Sequence, residues 1–450
     1  MGRDRRSRDR SGLVAALDIG SGKVACLIAE HDAPGHPTRS TGSHAPGFRV
    51  RGFAHQRSQG IRSGGVVDLA AAQRVVRAVV AEAEQQACSR VTAVHVSVNC
   101  GRPRSLTFSG HVQVADGIVR ERDVRALASG AEEYARRDGH ALLALDRAAY
   151  RLDGLPVSGA PVGLAGLRLA ADHHAVLADA GPLHSLSLLV EGCHLAIAGL
   201  VPAGYAAALA ATTADERRLG VLAIDIGADV TSMTGFVDGH LVFTDLLAFG
   251  GQHLTLDLAC GLGISLAEAE RIKALYGTLV AAASDEHDLV PYQGTGEDEG
   301  VWSKTTRAVV GRIVRHRMQS LLQAIGACLS AAAIGAMMPP RIVLSGGTSS
   351  LLGLPDFVSR ELGGRPGRGF GPGFGPGSSP ESSNGPSVRV ASPGGLAGLV
   401  DAQSSPSFAC VAGLQLAAVD APGFRPRSEA TGASRQGYIG RMERWLQDSF

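Results

Sequence analysis

Apolar positions fall into short runs broken by glycine. Residues 13–18 are an apolar run that stops at Gly20-Ser21-Gly22, and residues 24–29 resume it. Two runs flanking a Gly-containing break predict a β-hairpin. Residues 68–86 carry Leu69, Val75, Val76, Val79, Val80 and Ala83 at helical spacing, which predicts a helix with Asp68 as its N-cap. Residues 91–98 alternate and predict a strand. Residues 107–174 form a strand-helix-strand pattern of their own, and their helix, 120–137, is charged on one face, as a solvated face is. A helical stretch at 185–193, a strand at 195–201 and a small-residue helix at 206–212 follow.

The pattern then restarts. Residues 221–225 form a short apolar strand that stops at Gly227, and 230–236 and 240–244 follow as strands. Residues 265–276 and 306–338 read as helices. Residues 341–344 are a strand that stops at Gly346-Gly347, 387–391 another strand, and 408–419 a helix. Strand, turn, strand and helix thus occur near Asp18 and again near Asp225, an internal repeat of about two hundred residues rather than a solenoid.

Composition refines this picture in a few places. The 450 residues are 45% hydrophobic, 19% charged and 4% aromatic, so large cores of small side chains are expected in two to four compact units. A formal charge of +1 gives no global pull toward nucleic acid. Seven dispersed cysteines without a Cys-x-x-Cys pair suit a reducing compartment and exclude a zinc knuckle. Residues 1–12 are an arginine-rich arm expected to be disordered, and no secretory signal is read there. The uncharged stretch 321–338 has the minimum length of a membrane span, but its Ala, Gly and Ser content predicts a buried helix instead. Residues 363–386 are a Gly/Pro/Ser-rich loop and 421–436 a polar linker.

Each Asp-Ile-Gly sets a carboxylate at a strand end, followed at once by glycine. Glycine admits close approach of backbone N–H groups to phosphate oxygens. The carboxylate repels phosphate but suits a Mg²⁺ held through water. One tripeptide of this kind is usually a strand ending in a turn. Two copies, with Ser345-Gly346-Gly347 after a third strand, predict two loops gripping a polyphosphate from both sides. Residues 437–450, placed on a helix, gather Tyr438, Ile439, Met442, Trp445, Leu446 and Phe450 in an arc of about 140°, which reads as an interfacial membrane helix. No Gly-x-Ser-x-Gly elbow or His-Glu-x-x-His motif occurs, and the adjacent His173 and His174 point to opposite faces of a strand.

These motifs carry a resemblance. Leu17-Asp18-Ile19-Gly20-Ser21-Gly22-Lys23, Ile224-Asp225-Ile226-Gly227-Ala228-Asp229 and Ile342-Val343-Leu344-Ser345-Gly346-Gly347 resemble the two phosphate loops and the adenosine motif of the actin-like ATPase superfamily. Residues 213–221 resemble its interlobe connection, and the helix bearing Glu270 and Lys273 resembles the one that meets the nucleoside. Val162-Gly163-Leu164-Ala165-Gly166-Leu167-Arg168 resembles the signature closing the inserted subdomain 1C of the FtsA family.

The resemblance implies an α/β, actin-like fold: two lobes with mixed five-stranded-type sheets around an ATP cleft. Subdomain 1A would span 13–98 and 175–218, 1C 99–174, 2A 219–255 and 319–400, 2B 256–318, and a closing helix 401–420. It implies that ATP and Mg²⁺ are bound by Asp18, Gly20, Ser21, Gly22, Lys23, Asp225, Gly227, Ala228, Asp229, Glu270, Lys273, Ser345, Gly346 and Gly347. Mg²⁺ would be held by Asp18 and Asp225 through water, with weak or no hydrolysis and no assigned catalytic residue. Implied partners are the FtsZ C-terminal tail, further copies in actin-like protofilaments, divisome proteins through 1C, and anionic phospholipid at the inner face of the cytoplasmic membrane at the septum. A PilM-type pilus adaptor and a sugar-kinase or polyphosphatase-type enzyme share the fold and stand as alternatives. One departure is visible. The family carries glycines after the second Asp-Ile-Gly, where this chain has Ala228 and Asp229; the methyl, and the charge unless it points away or meets Mg²⁺, predict weakened nucleotide affinity.

Overall fold

A computed structural model describes residues 12–31, 48–136, 139–157, 159–295, 302–332, 341–363, 386–394, 396–398 and 404–420. The basic arm, most of the Gly/Pro loop, the linker and the 437–450 segment lie outside the described residues.

Two mixed sheets share one plan. The first contains β1 (Leu13–Ile19), β2 (Lys23–His31), β3 (Phe48–Arg57), β6 (Ala93–Val98), β11 (Ala196–Pro202) and β19 (Leu396–Ala397), in the order β11-β6-β1-β2-β3-β19. β1, β2 and β3 pair antiparallel, whereas β6 runs parallel to both β1 and β11. The second contains β12 (Val221–Ile226), β13 (Thr231–Val237), β14 (His240–Leu247), β17 (Arg341–Ser345) and β18 (Ser387–Val390), in the order β14-β13-β12-β17-β18. Again three strands meander antiparallel, and β17 runs parallel to β12 and β18. The repeat seen in the sequence is therefore a repeat of topology. β19 returns to the first sheet ahead of the 400 boundary drawn from the sequence. Two short ladders, β4 (Ile61–Arg62) with β5 (Gly65–Val66) and β15 (Leu289–Tyr292) with β16 (Ser303–Thr306), lie outside these sheets.

A separate four-stranded antiparallel sheet interrupts the first lobe: β7 (Arg104–Gln113), β8 (His140–Leu152), β9 (Leu155–Val157) and β10 (Arg168–Asp179), in the order β7-β10-β8-β9. Its helix α2 (Glu121–Ala135) buries Leu127, Ala131 and Ala135. The sheet is tied to the second lobe where the Thr244 N–H donates to Ser105 Oγ at 2.6 Å.

Helices cover both faces of the first sheet. α1 (Leu69–Ala87) is capped by Asp68, whose Oδ1 accepts from the Ala71 N–H, and buries Val75, Val76, Val79, Val80 and Ala83 at the predicted spacing. α3 (Ala180–Glu191) joins it in that core. On the opposite face lie α4 (Ala203–Ala211) and α10 (Ala409–Asp420). These two approach nearly backbone to backbone, since a Cβ on Gly413 would lie 1.6 Å from the Ala206 carbonyl oxygen. Ala208 and Ala211 of α4 also pack on Val221, Ala223 and Val343 of the second sheet. The alanine-rich composition thus has a definite place: it builds the thin layer between the sheets.

α5 (Ala214–Leu219) is the interlobe segment. It opens with a capping box between Thr213 and Glu216, and Glu216 accepts from Arg389 at 2.6 and 2.9 Å. The second sheet is covered by α6 (Gly251–Leu262), α7 (Leu266–Tyr276), α8 (Arg307–Ala331) and α9 (Leu354–Gly363). α8 contains most of the uncharged stretch. Leu321, Leu322, Ile325 and Leu329 are buried in that lobe's core, and no described helix is long and apolar enough to cross a membrane.

Candidate functional site

The C-terminal ends of β1 and β12 carry the two Asp-Ile-Gly loops, and the loops close in the same way. The Gly20 N–H donates to the Lys23 carbonyl at 3.0 Å, and the Gly227 N–H to the Val230 carbonyl at 2.9 Å. A Cβ on Gly20 would lie 3.0 Å from the Lys23 oxygen, and one on Gly227 3.0 Å from the Val230 oxygen. Both turns are therefore tight against any added side chain.

Each carboxylate is oriented by a serine on the neighbouring parallel strand. Ser97 of β6 donates to Asp18 Oδ1 at 2.7 Å, and Ser345 of β17 donates to Asp225 Oδ1 at 2.8 Å. Ser97 Oγ also accepts from the Ile19 N–H at 3.0 Å. Ser345 is fully buried, so its side chain positions Asp225; Gly346 is buried beside it and Gly347 is exposed. Ser97 was missed by motif reading. It occupies the place in the first half that Ser345 occupies in the second, so superposing the two halves of the repeat finds it.

Charge is concentrated between the loops. Asp225 is raised from 3.8 to about 6, first by burial and then by the Asp18 charge, against the hydrogen bond from Ser345 and the attraction of Lys23. Lys23 is lowered, burial outweighing the pull of Asp18, Asp225 and Cys410. Its ammonium donates to the Ser407 carbonyl and sits 4.4 Å from the centre of the Phe408 ring. Cys410 Sγ donates to Asp18 Oδ1 at 3.3 Å, and burial, reinforced by Asp18 and Asp225, pushes its thiol well above the usual range. The start of α10 therefore borders the first loop, a contact that no local motif announces.

The two residues that depart from the family pattern have definite surroundings. Ala228 faces the opposite loop, for a Cβ on Gly22 would lie 3.0 Å from the Ala228 methyl. The Ala228 and Gly227 carbonyls accept from Gln252 and Gly251 at the start of α6, at 2.7 and 2.9 Å. Asp229 Oδ2 accepts from the Ser63 N–H at 2.8 Å, across to the first lobe, and Ser21 Oγ accepts from the Gly64 N–H at 3.0 Å. Gly346 adopts φ 85°, and a Cβ there would lie 2.4 Å from the Ile226 oxygen, so this turn requires glycine.

Glu270 and Lys273 meet as their spacing suggested. Lys273 Nζ donates to Glu270 Oε2 at 2.7 Å and to Thr255 Oγ1 at 2.8 Å, and Thr255 Oγ1 donates to Glu270 Oε2 at 2.6 Å. The Glu270 carboxyl is lowered: burial alone would raise it, and the bonds from Lys273 and Thr255 outweigh that. Lys273 also donates to the Gly251 carbonyl at 3.2 Å, so the pair adjoins the α6 start that caps the second loop. His173 and His174 are both buried in the inserted sheet. His174 Nε2 shares a 2.7 Å hydrogen bond with Ser105 Oγ, and burial lowers it to about 4.

This geometry, a duplicated loop on duplicated sheets with a second domain inserted in the first, can be compared with known proteins. A profile of the family described as cell division protein FtsA matches residues 222–413, and one described as the SHS2 domain inserted in FtsA matches 100–177, the region of the β7–β10 sheet. Cell division protein FtsA of Agrobacterium fabrum is 32% identical over 99% of this chain and 96% of its own length. The chain belongs to the FtsA family. The FtsA of Rhizobium meliloti is likewise 32% identical, over 98% of this chain and 96% of that protein. That of Escherichia coli K12 is 25% identical over 99% and 100%. Among solved structures, the PilM-PilN type IV pilus biogenesis complex aligns with a TM-score of 0.59 at 17% identity, covering 90% of this chain and 98% of that one. That likeness concerns the fold, which in the FtsA family is actin-like, with the SHS2 domain as its insert.

Proposed function

We propose that this family member binds Mg–ATP between its two loops and, in that state, anchors FtsZ filaments to the inner face of the cytoplasmic membrane at the division septum. The duplicated carboxylate–serine pair carries the nucleotide half of this reading. The buried Asp18 and the partly buried Asp225 at facing strand ends, with Lys23 beside them, leave an excess of negative charge that suits a hydrated divalent cation. Among the described residues no three His, Cys, Asp or Glu side chains converge on a metal, so the cation would take water and phosphate oxygens beside Asp18 and Asp225, the mixed coordination that Mg²⁺ favours. The partly buried glycine turns at Gly20 and Gly227 would admit phosphate, the exposed Gly347 would lie against the nucleoside, and Glu270 with Lys273 would meet the ribose.

The partner assignments follow the family. The FtsZ tail would dock on 256–318, divisome proteins on the inserted sheet, and further copies end to end in protofilaments. Residues 437–450 would lie in an anionic bilayer surface, with binding resting on the burial of Tyr438, Ile439, Met442, Trp445, Leu446 and Phe450 and strengthened by the avidity of a polymer. The deciding experiment is equilibrium binding of labelled ATP with Mg²⁺. Saturable binding is expected, and none up to millimolar ATP refutes the nucleotide reading. For the membrane half, Trp445→Glu is expected to release the protein from anionic vesicles; unchanged co-sedimentation counts against it.

A further inference from the structure

The turn between β4 and β5 holds two consecutive left-handed residues, Ser63 at φ 47° and Gly64 at φ 77°. A Cβ on Gly64 would lie 2.1 Å from the Asn99 carbonyl oxygen, so the turn is built around a glycine. It directs two successive N–H groups at the two loops. The Gly64 N–H donates to Ser21 Oγ on the first loop, and the Ser63 N–H donates to Asp229 Oδ2 on the second. Successive N–H groups in turns of this kind form concave anion sites. Here the Ser63 N–H already holds an anion, a carboxylate from the other lobe, while the Gly64 N–H is taken by the Ser21 hydroxyl.

We propose that the Ser63-Gly64 turn is a third phosphate-contacting element of the cleft, and that Asp229 is its internal occupant. The Asp229 carboxylate takes the place of a phosphate oxygen on the Ser63 N–H; an entering polyphosphate displaces it. This rests on the nucleotide reading above and adds a mechanism to it. A carboxylate and a phosphate cannot share one N–H donor without strong repulsion. The exchange keeps the exposed Ser63 amide bonded in both states. Asp229 is only half-buried, so water can take over its charge once it leaves. The first loop has Gly22 at the equivalent position, so only one of the two loops carries such an occupant. The residue that looked like a defect in the motif becomes a device that holds the lobes together until nucleotide arrives.

The test titrates ATP, with and without Mg²⁺, into the full chain, Asp229→Asn and Asp229→Gly, and follows amide hydrogen exchange of residues 62–65. Both variants are expected to bind about tenfold more tightly, with or without Mg²⁺, as a repelled charge near phosphate is removed. In the empty protein the Ser63 amide is expected to be protected in the native chain, to exchange faster in Asp229→Gly, and to be protected again in both on adding ATP. Saturable binding of equal or lower affinity in the variants overturns the displacement while leaving the nucleotide reading intact. A loss confined to the Mg²⁺ titration makes Asp229 a metal-directed residue and also overturns it. No saturable binding by any of the three proteins overturns the nucleotide reading itself, and the displacement with it.

Discussion

In the Asp18 loop the last turn residue is Lys23, whose ammonium turns toward the start of α10. In the Asp225 loop that position is Val230, and Asp229 stands where the first loop has Gly22. The framework beneath is common to both: a carboxylate at the strand end, a serine donor from the parallel neighbour, and a glycine turn closed by one backbone bond. Duplication thus fixed the parts whose geometry serves the backbone, and the halves diverged at side chains that decide charge. The first loop is tied to its own lobe through α10. The second reaches across to the other lobe through Ser63.

The largest effect expected on that comparison comes from Asp225→Asn. Asp225 titrates near 6 when folded, above its ordinary 3.8. Between those values the folded state holds a proton that the unfolded state has lost, so this group's contribution to stability falls as pH rises from about 4 to 6. Above that range the buried charge costs on the order of 3 kcal/mol. Asparagine keeps the acceptor for Ser345 and removes the charge. The nucleotide-free variant is expected to be more stable by about 2–3 kcal/mol at pH 7.5 and no more stable at pH 4. Urea unfolding at the two pH values measures this; a gain independent of pH sinks the assignment.

Next come the two serines. Ser345→Ala removes one hydrogen bond to a carboxylate, a loss of about 1.5 kcal/mol. Ser97→Ala removes the equivalent bond and also strands the Ile19 N–H, so about 2–3 kcal/mol is expected. Equal losses in urea unfolding would show that the halves remain energetically symmetric, against the divergence argued above.

The contact between the loops gives a smaller effect. Gly22→Ala sets a methyl 3.0 Å from that of Ala228, an overpacking expected to cost about 1 kcal/mol. Ala228→Gly opens the space, and the double variant is expected to recover most of the loss, a coupling of about 1 kcal/mol in a double-mutant cycle. Additive effects would mean that the loops do not touch through these residues.

Much of this fold was legible because its signals are periodic or local. The α1 face, its Asp68 cap, both hairpins and the Glu270–Lys273 pair follow from spacing and turn chemistry alone. What escaped depends on pairing between distant strands or on approach between helices. Ser97 meets Asp18 only because β6 lies beside β1 in parallel register. Cys410 meets Asp18 only because α10 packs against α4 at the Gly413 crossing. Asp229 read as a charge near the triphosphate, unfavourable unless it points away or meets Mg²⁺. Its actual partner is a backbone amide on the other lobe, and neither spacing nor residue type in the sequence announces a left-handed serine.

The smallest and most specific effect is a proton count. Asp225 near 6 means that about half of the empty molecules carry a proton there at pH 6. A divalent cation bound through water near that carboxylate favours its charged form and lowers its pKa. Binding of Mg²⁺-loaded nucleotide at pH 6 is therefore expected to release about half a proton from Asp225, falling toward zero by pH 8. Titration calorimetry in two buffers of different ionisation heat reads that number directly, and using nucleotide already saturated with Mg²⁺ removes most of its own proton loss. Asp225→Asn, measured at saturating protein, supplies the remaining baseline. Subtracting it isolates the second loop, because Asp18 is present in both proteins. A difference of zero at pH 6 means that the cation is held without Asp225, and that the two carboxylates, alike in position, do not share the ion.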